Sequence, residues 1–200
     1  VIIPVYNAEN TIRKAVKSID TTHDVEIICI NDGSTDRTKQ VLTELQKEVK
    51  HLIVYHQDNQ GAAKSRNMGL SAMSDDIDAF MFLDADDQFL PGKMDQMIQY
   101  YEKNEHLDIV IGQIGRGLNG DWKVIPTHED IHREAIVSLA EAPEILQSIG
   151  PGGKLFKAKF NTLRFDEDVV FCEEHTFVTR AYLMARDIQL VPFIVYGYND

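Results

Sequence analysis

The chain has 200 residues, of which 44% are hydrophobic, 8% aromatic and 26% charged. This ordinary globular composition excludes a disordered or low-complexity protein and suffices for one domain with a sizeable core. With 32 acidic and 20 basic residues, the formal charge is −12, which argues against nucleic acid or an anionic membrane surface as a partner of the domain as a whole. An anionic substrate would therefore need a local cationic feature, such as a metal ion or a helix N-terminus.

The cysteine count favours a reducing compartment. Cys29 and Cys172 are the only cysteines, which excludes a disulfide framework. No apolar stretch reaches the roughly 20 residues of a membrane-spanning helix, and we expect no signal peptide. The sequence begins inside an apolar run without an initiator Met. We therefore expect an excised domain of a cytoplasmic protein, with peripheral association at the inner face of the membrane as an option through segments outside this sequence.

In the first half, short apolar runs alternate with amphipathic segments. The apolar runs predict strands at Val1–Val5, Val25–Ile30, His51–His56, Asp78–Leu83 and Leu107–Ile111. The segments between them predict helices at Asn10–Ile19, from Ser34 or Thr35 onward, at Ala62–Ala72 and at Pro91–Tyr101. This alternation predicts a parallel sheet with right-handed crossovers, in which ligands bind at the carboxyl ends of the strands.

The second half is less regular. Gly112–Asp130 predicts a loop or hairpin, Ile131–Ile149 a mostly helical segment whose last piece begins at Pro143, and Gly150–Gly153 a break. A strand at Lys154–Phe156, a helix at Glu173–Ala185 and a final strand at Gln189–Val195 follow. No linker is long enough to separate independent domains, so we expect one domain with halves at 1–111 and 112–200.

Polar, acid-rich segments follow three of the predicted strands. The first strand ends in Pro4-Val5-Tyr6-Asn7, the second in Asn31–Asp36 and the fourth in Asp84-Ala85-Asp86-Asp87. Because the carboxyl ends of parallel strands lie at one edge of a sheet, we expect these segments to converge on one site.

The sharpest of these segments is Phe80–Asp87, in which an apolar strand delivers Asp84 and Asp86 into a turn. The i, i+2 spacing puts both carboxylates on the same side of an extended chain. Two hard oxygen donors suit Mg²⁺ or Mn²⁺ that keeps waters and also binds substrate phosphates. A solvated Asp-rich turn is the structural alternative.

The segment Asn31–Asp36, which follows the second predicted strand, also has two interpretations. Gly33 would take the unusual dihedrals of a strand-to-helix turn, Ser34 or Thr35 would cap the helix, and Asp36 would support its N-terminus. In addition, the Asp32 carboxylate could accept a hydrogen bond from a pyrimidine ring.

Charged residues on two predicted helices complete the candidates. Lys64 and Arg66 could reach a nucleotide or brace the acidic tips, or lie on a solvated face. Glu173 and Glu174 stand where a helix starts, a position that attracts acids whatever the function, but a carboxylate near an acceptor hydroxyl could act as a general base. His175 is interpreted as a plain helix residue rather than a metal ligand.

The segments Val1–Asn7, Val25–Asp36, Asn59–Gly69 and Phe80–Asp87 together resemble the motifs of the family 2 glycosyltransferases, which have the GT-A fold. The resemblance covers about the first 110 residues closely and the remainder loosely. It implies an α/β fold with a Rossmann-like, mostly parallel sheet flanked by helices and a smaller irregular acceptor-side region. Residues 1–111 would form the nucleotide-sugar-binding half and 112–200 the acceptor-side half.

The resemblance also implies roles for individual residues. Those that would bind the nucleotide-sugar are Pro4, Tyr6, Asn7, Asp32, Arg66, Asp84 and Ala85. Asp84 and Asp86 would hold Mn²⁺ or Mg²⁺ in the family's DXD motif. Glu173–Phe177 fits the acceptor-side motif, with Glu174 at the position of the catalytic base, where Asp is usual.

The implied reaction is an inverting transfer of a hexosyl or N-acetylhexosaminyl group. The donor would be a nucleotide-diphosphate sugar, with UDP expected, and the acceptor a hydroxyl of a glycan or polyol-phosphate in a cell-wall or surface polymer. A non-catalytic sugar- or polymer-binding domain is one alternative. A nucleotidyltransferase is another, although those enzymes usually carry a Gly-rich basic loop where this chain has Tyr6–Glu9. A plain doubly wound domain would bind no nucleotide.

Overall fold

A sheet in two connected parts runs through the protein in the computed structural model, which describes residues 1–118, 120–169 and 171–199. The first part is parallel and consists of β1 (Ile2–Val5), β2 (Ile27–Asp32) and β3 (Leu52–Gln57). A parallel bridge between Ile2 and Phe82 joins β1 to the segment that follows β4 (Ala79–Met81).

The second part has the strand order β4-β9-β6-β10-β5. Besides β4, this order contains β5 (Gln88–Phe89), β6 (Ile109–Leu118), β9 (Lys154–Lys157) and β10 (Ile188–Asn199). Two further strands lie beside it: β7 (Asp121–Val124) pairs with β6, and β8 (Ala135–Val137) pairs with β10. β9 is antiparallel to both β4 and β6, and β10 is parallel to β6. Six strands therefore share one direction, which confirms the predicted α/β class with a Rossmann-like, mostly parallel sheet.

Five α-helices flank this sheet within the described residues: α1 (Ile12–Lys17), α2 (Thr38–Glu48), α3 (Ala62–Ala72), α4 (Lys93–Glu102) and α5 (Glu174–Met184). Side chains along β1 alternate between two cores, since Ile3 packs with the α1 and α2 side and Ile2 with the α3 side. Gly69 lets α3 lie close to β1, because a Cβ there would come within 2.4 Å of an Ile2 methyl carbon. No helix in the described residues is both long and apolar enough to cross a bilayer.

Two local predictions are wrong. Ile131–Ile149 is not mostly helical: β8 lies inside it because Ala135–Val137 pairs with Ile188–Leu190 of β10, and only a short 3-10 helix, Pro143–Gln147, begins at the predicted proline. Ser34 and Thr35 do not cap α2, which begins only at Thr38. The Asp36 carboxylate accepts from the Thr38 N–H at 2.9 Å, which confirms its predicted support of the helix N-terminus.

The hairpin alternative for Gly112–Asp130 is confirmed by the pairing of β6 with β7, followed by a 3-10 helix at Pro126–His128. Asn119 in this range, and Val170 and Asp200 in the predicted second half, lie outside the described residues. A further 3-10 helix, Ala158–Thr162, follows β9. β6 crosses position 111, so the predicted halves share one sheet.

Candidate functional site

The carboxyl ends of β1 and β2 and the segment after β4 meet at one edge of the sheet, as the sequence predicts. A cavity of about 350 Å³ there contains in its lining every residue predicted to bind the donor or a metal: Pro4, Tyr6, Asn7, Asp32, Arg66, Asp84, Ala85 and Asp86. An adjoining cavity of about 310 Å³ shares Asp84 and Asp86 and adds Asp87, Arg116, Tyr198 and Asn199. The Asp84–Asp87 turn therefore contributes residues to the lining of both cavities, which we treat together as the candidate site.

The β1–α1 loop forms one wall of this site. The Tyr6 side chain is 52% exposed. Asn7 has a left-handed backbone with φ of 47°; its side-chain carbonyl accepts from the Thr35 N–H at 2.8 Å and its own N–H donates to the Ser34 hydroxyl at 3.0 Å. These bonds lock the β1 and β2 loops together, and they leave the Asn7 NH₂ group for a ligand.

Asp32 is 4% exposed and is already engaged by the loop before α3. Its Oδ1 accepts from the Gln57 side chain at 2.6 Å and from the Gln60 N–H at 2.8 Å, and its Oδ2 accepts from the Gly61 N–H at 2.8 Å. The carboxylate therefore fixes where α3 begins. Oδ2 retains a lone pair, so contact with a base stays a prediction.

Arg66, on α3, lies at the centre of the site. Its side chain is 8% exposed, with Nη2 2.9 Å from Asp84 Oδ1 and Nη1 2.8 Å from Glu173 Oε1, and the guanidinium lies 5.4 Å from the Phe165 ring centroid. Burial alone would lower the pKa of Arg66, but the charges of Asp84 and Glu173 and their hydrogen bonds raise it. Arg66 thus stays charged and braces the acidic tip, one of the two functions considered for it.

Lys64 has a different environment from Arg66. It donates to the Gln60 side chain at 3.3 Å and approaches Glu167 at 4.0 Å. With Arg164 and Arg180 it lines a separate cavity of about 750 Å³ on the other side of α3. It therefore does not contribute a cation to the Asp84–Asp87 turn.

The Asp84–Asp87 turn is held by β10, a contribution that the sequence analysis missed. The Asp84 N–H donates to the Tyr196 hydroxyl at 3.0 Å, and this hydroxyl donates to Asp87 Oδ2 at 2.9 Å. Asp87 is 6% exposed. Burial raises the pKa of Asp87 to about 7, and the nearby charges of Asp84 and Asp86 act in the same direction. In the sequence, only the polar residues that follow the apolar part of the last strand could have indicated that Tyr196 contributes to the site.

The donor set fits a divalent ion that arrives with a phosphate ligand. Asp86 is exposed and Asp84 is 35% exposed; Arg66 engages Oδ1 of Asp84, which leaves Oδ2. Within the described ranges, no cluster of three or more His, Cys, Asp or Glu side chains could hold a metal. Mg²⁺ needs only one or two protein carboxylates when phosphate and water oxygens complete its octahedral shell. Asp84 and Asp86 are suited to that arrangement and not to a cage made of protein ligands alone.

The start of α5 carries two further carboxylates, of which Glu173 contacts the site through Arg66. Glu173 is bound to Arg66 and its side chain is 17% exposed. The Glu174 side chain is 26% exposed and approaches His175 Nε2 at 3.9 Å. Burial raises the pKa of Tyr198 to about 12, with further contributions from the charges of Asp84, Asp87 and Glu174. Glu174 lines neither of the two cavities described above, so its role beside an acceptor stays a prediction.

Comparison with known proteins agrees with this geometry. TagX of Staphylococcus aureus (strain N315), which carries a glycosyltransferase name, is 38% identical over 204 residues, covering 100% of this chain and 58% of TagX. The poly(ribitol-phosphate) beta-glucosyltransferase of Bacillus spizizenii is 28% identical over 209 residues, covering 99% of this chain and 31% of that protein. This chain thus spans little more than half the length of TagX.

Two solved structures share the fold. The crystal structure of S. aureus TarS 1-349 in complex with UDP-GlcNAc matches with a TM-score of 0.85 at 23% identity, covering 100% of this chain and 57% of that one. The mannosyltransferase PcManGT of Pyrobaculum calidifontis, in complex with GDP-Man and Mn²⁺, matches with a TM-score of 0.68 at 15% identity, covering 98% of this chain and 55% of that one. The sequence profile described as "Glycosyl transferase family 2" matches residues 1–172. With most of its length matched by that profile, the chain belongs to glycosyl transferase family 2.

Proposed function

We propose that this chain is the catalytic domain of an inverting glycosyltransferase. It would move a hexosyl or N-acetylhexosaminyl group from a UDP-sugar to a hydroxyl of a polyol-phosphate or other glycan polymer. The observation that carries the proposal is the single cavity at the strand ends, whose lining includes all of the donor-binding residues expected from the sequence. The UDP-GlcNAc complex of TarS and the poly(ribitol-phosphate) relative support the choice of donor and acceptor.

The two halves of the chain contribute different functions to this site. Residues 1–111 supply the nucleotide-binding wall and the Asp84–Asp86 pair, whereas 112–200 supply the start of α5 and the end of β10. We assign the first half to the nucleotide-sugar and the second to the acceptor. In this assignment Pro4, Tyr6 and Asp32 contact the base and ribose. Arg66 has two functions, since it holds Asp84 in place as well as binding the donor.

Asp84 and Asp86 would hold Mn²⁺ or Mg²⁺, which when bound supplies Lewis-acid charge to the departing diphosphate. The chain's own residues do the orienting. Arg66 sets the direction of the Asp84 carboxylate, while exposed Asp86 lines both cavities. A protein with a charge of −12 needs such local neutralisation before it can hold a diphosphate.

Glu174 is the proposed general base. It would take the proton of the acceptor hydroxyl as that oxygen attacks the anomeric carbon; the new carbon–oxygen bond forms while the bond to the diphosphate oxygen breaks, and UDP leaves. Attack opposite the leaving group inverts the anomeric configuration. Glu173 is the less suitable base because Arg66 engages its carboxylate at 2.8 Å.

A transfer assay tests this function. The purified protein would be incubated with UDP-GlcNAc or UDP-glucose, Mn²⁺ and poly(ribitol phosphate), with UDP release and the anomeric configuration of the product measured. We expect acceptor-dependent UDP release and an inverted product, and a loss of release in Asp86→Ala. Asp75→Ala is the matched control, because it removes an exposed acid at the opposite end of β4.

Three other results would contradict the proposal. UDP binding without turnover of any donor would favour a non-catalytic binding domain. Pyrophosphate release from a nucleoside triphosphate and a sugar phosphate would indicate a nucleotidyltransferase. An absence of nucleotide binding would leave a plain doubly wound domain.

A further inference from the structure

The end of β10 contacts the Asp84–Asp87 turn through four hydrogen bonds. The Tyr196 hydroxyl accepts from the Asp84 N–H at 3.0 Å and donates to Asp87 Oδ2 at 2.9 Å. Asn199 donates from its backbone N–H to Asp87 Oδ1 at 3.2 Å and from its side chain to the Asp86 carbonyl at 2.6 Å. Each acidic residue of the turn is thus bonded to one strand that lies more than 100 residues away in the sequence.

The direction of the hydrogen bonds at Tyr196 follows from their chemistry. A backbone N–H can only donate, so the hydroxyl must accept from Asp84, and its own hydrogen is then directed to the Asp87 carboxylate. Both partners need this hydroxyl. The Leu83 N–H is still paired with the Ile2 carbonyl at 3.0 Å, but the next N–H points to the other side of the strand, where the ladder between β4 and β9 has already ended at Met81.

The Tyr196 ring is fixed where it lies. Tyr196 is 0% exposed and is paired in the sheet with Phe89 of β5. Its ring makes edge contacts with the Phe89 and Tyr198 rings, at centroid separations of 5.9 and 5.5 Å. On another side, Gly152 leaves room for the ring, since a Cβ there would be 3.0 Å from a ring carbon. The packed ring therefore fixes the position of the Tyr196 hydroxyl, and the hydrogen bonds from this hydroxyl fix the position of the Asp84–Asp87 turn.

We propose that Tyr196 is a positioning residue for the donor site. It acts through Asp84 and Asp87 on the path of the turn, and thereby on the direction in which Asp84 and Asp86 present their carboxylates. It does not touch the donor itself. This inference rests on the proposed function, because the direction of these carboxylates matters only if they bind a donor diphosphate and its divalent ion.

Tyr196→Phe is the first variant to measure. It keeps the ring and removes the one Tyr196 atom that bonds to the turn, leaving the partly buried Asp84 N–H without its acceptor. We expect amide hydrogen exchange of a peptide containing Asp84 to be faster than in the wild type. By calorimetry, we expect the gain in UDP affinity that Mn²⁺ confers to fall about tenfold, the size of one lost hydrogen bond, while UDP affinity without the ion stays within about twofold.

Tyr182→Phe is the matched control. Tyr182 is also 0% exposed, and its hydroxyl donates to the Ser148 carbonyl at 2.7 Å rather than to a residue of the turn. Both variants lose a buried hydroxyl and a hydrogen bond, so they should lose similar stability, but only Tyr196→Phe should lose the Mn²⁺-dependent part of UDP binding. Should Tyr196→Phe not fold, Asn199→Ala is the second probe, because it removes the half-buried side chain bonded to the Asp86 carbonyl.

The possible outcomes separate this inference from the function on which it rests. Wild-type protein that does not bind UDP would overturn the proposed function and this inference with it. Wild-type protein that binds UDP with help from Mn²⁺, together with a Tyr196→Phe variant that binds in the same way, would overturn the positioning role alone. Equal losses in Tyr196→Phe and Tyr182→Phe would also overturn it, because they would indicate a general effect on stability.

Discussion

Arg66 and Glu173 are 107 residues apart in the sequence, yet Nη1 of the arginine lies 2.8 Å from Oε1 of the glutamate. The second nitrogen of the same guanidinium lies 2.9 Å from the Asp84 carboxylate. One buried cation therefore joins the carboxylate turn after β4 to the first residues of α5. In the proposed reaction, this bridge fixes the donor side of the site relative to the acceptor side.

The bridge gives the first prediction, which concerns stability. Arg66→Ala leaves two carboxylates near each other without their cation, and breaking a buried ion pair in this way costs about 3 kcal/mol or more in free energy of unfolding. Arg13→Ala is the control, because Arg13 also pairs with two acids, Glu44 and Glu48, but its side chain is 36% exposed. There we expect a much smaller loss, because solvent screens an exposed ion pair. Urea denaturation measures both, and equal losses would contradict the buried bridge.

The second prediction separates the two glutamates at the start of α5. Glu174→Gln should lower kcat by about 10²- to 10⁴-fold, the usual size of a lost general base, with UDP affinity nearly unchanged. Glu173→Gln should mainly lower stability, since it weakens the contact with Arg66. Steady-state kinetics and thermal unfolding on both variants check this. An active Glu174→Gln beside an inactive, stably folded Glu173→Gln would reverse the assignment.

The third prediction uses the buried carboxyl of Asp87, whose pKa burial raises to about 7 from an ordinary value of 3.8. The folded state therefore binds this proton more tightly than the unfolded state. The resulting stabilisation is complete below about pH 4 and is lost as the pH rises through 7. Asp87→Asn removes this dependence, so the stability of the wild type relative to the variant should fall between pH 5 and 7 by up to about 1.4 kcal/mol per pH unit.

Urea midpoints at pH 5, 6, 7 and 8 measure that difference. Parallel curves for the wild type and Asp87→Asn would show that the carboxyl is not titrating in the folded protein near neutral pH.

The fourth prediction concerns Lys154, which is 0% exposed. Its ammonium donates to the Ser148 hydroxyl at 2.8 Å and to the Gly150 and Gly152 carbonyls at 2.5 and 3.3 Å, which ties down the loop against the Tyr196 ring. Burial lowers the pKa of Lys154 from 10.5 to about 7. Between these values the unfolded state holds the proton and the folded state does not, so rising pH stabilises the fold.

Lys154→Met should be less stable than the wild type at every pH, because three polar groups lose their partner. The difference should widen from pH 7 to pH 10, since only the wild type has the linkage. Chemical denaturation across this range is the measurement, and a constant difference would mean that Lys154 is protonated in the folded protein throughout.

The gathering of the predicted residues in one cavity could be expected from the sequence because each of their motifs is local. A strand, the polar residues that follow it and the next helix are contiguous, so the gathering of Asp32 and Asp84 follows from the direction of parallel strands alone. Asp87 and Tyr196 could not be paired from the sequence, since their hydrogen bond spans 109 residues and the turn meets β10 only once the sheet is complete.

The error at Ile131–Ile149 has a related cause. A short apolar run such as Ala135–Val137 suits a helix or a strand equally well, and here the choice is made by pairing with Ile188–Leu190 of β10. The capping error at α2 is smaller in scale. Several side chains that can cap a helix follow one another from Ser34 to Asp36, and the helix begins late enough for the last of them to be used.

The most direct measurement is a crystal structure of the protein with UDP and Mn²⁺ bound. The account predicts the uracil between Tyr6 and Asp32, and the diphosphate with its ion beside Asp84 and Asp86 at the mouth of the cavity. Clear density for UDP elsewhere on the protein, or a cavity that stays empty at saturating UDP and Mn²⁺ with both aspartates turned into solvent, would contradict it.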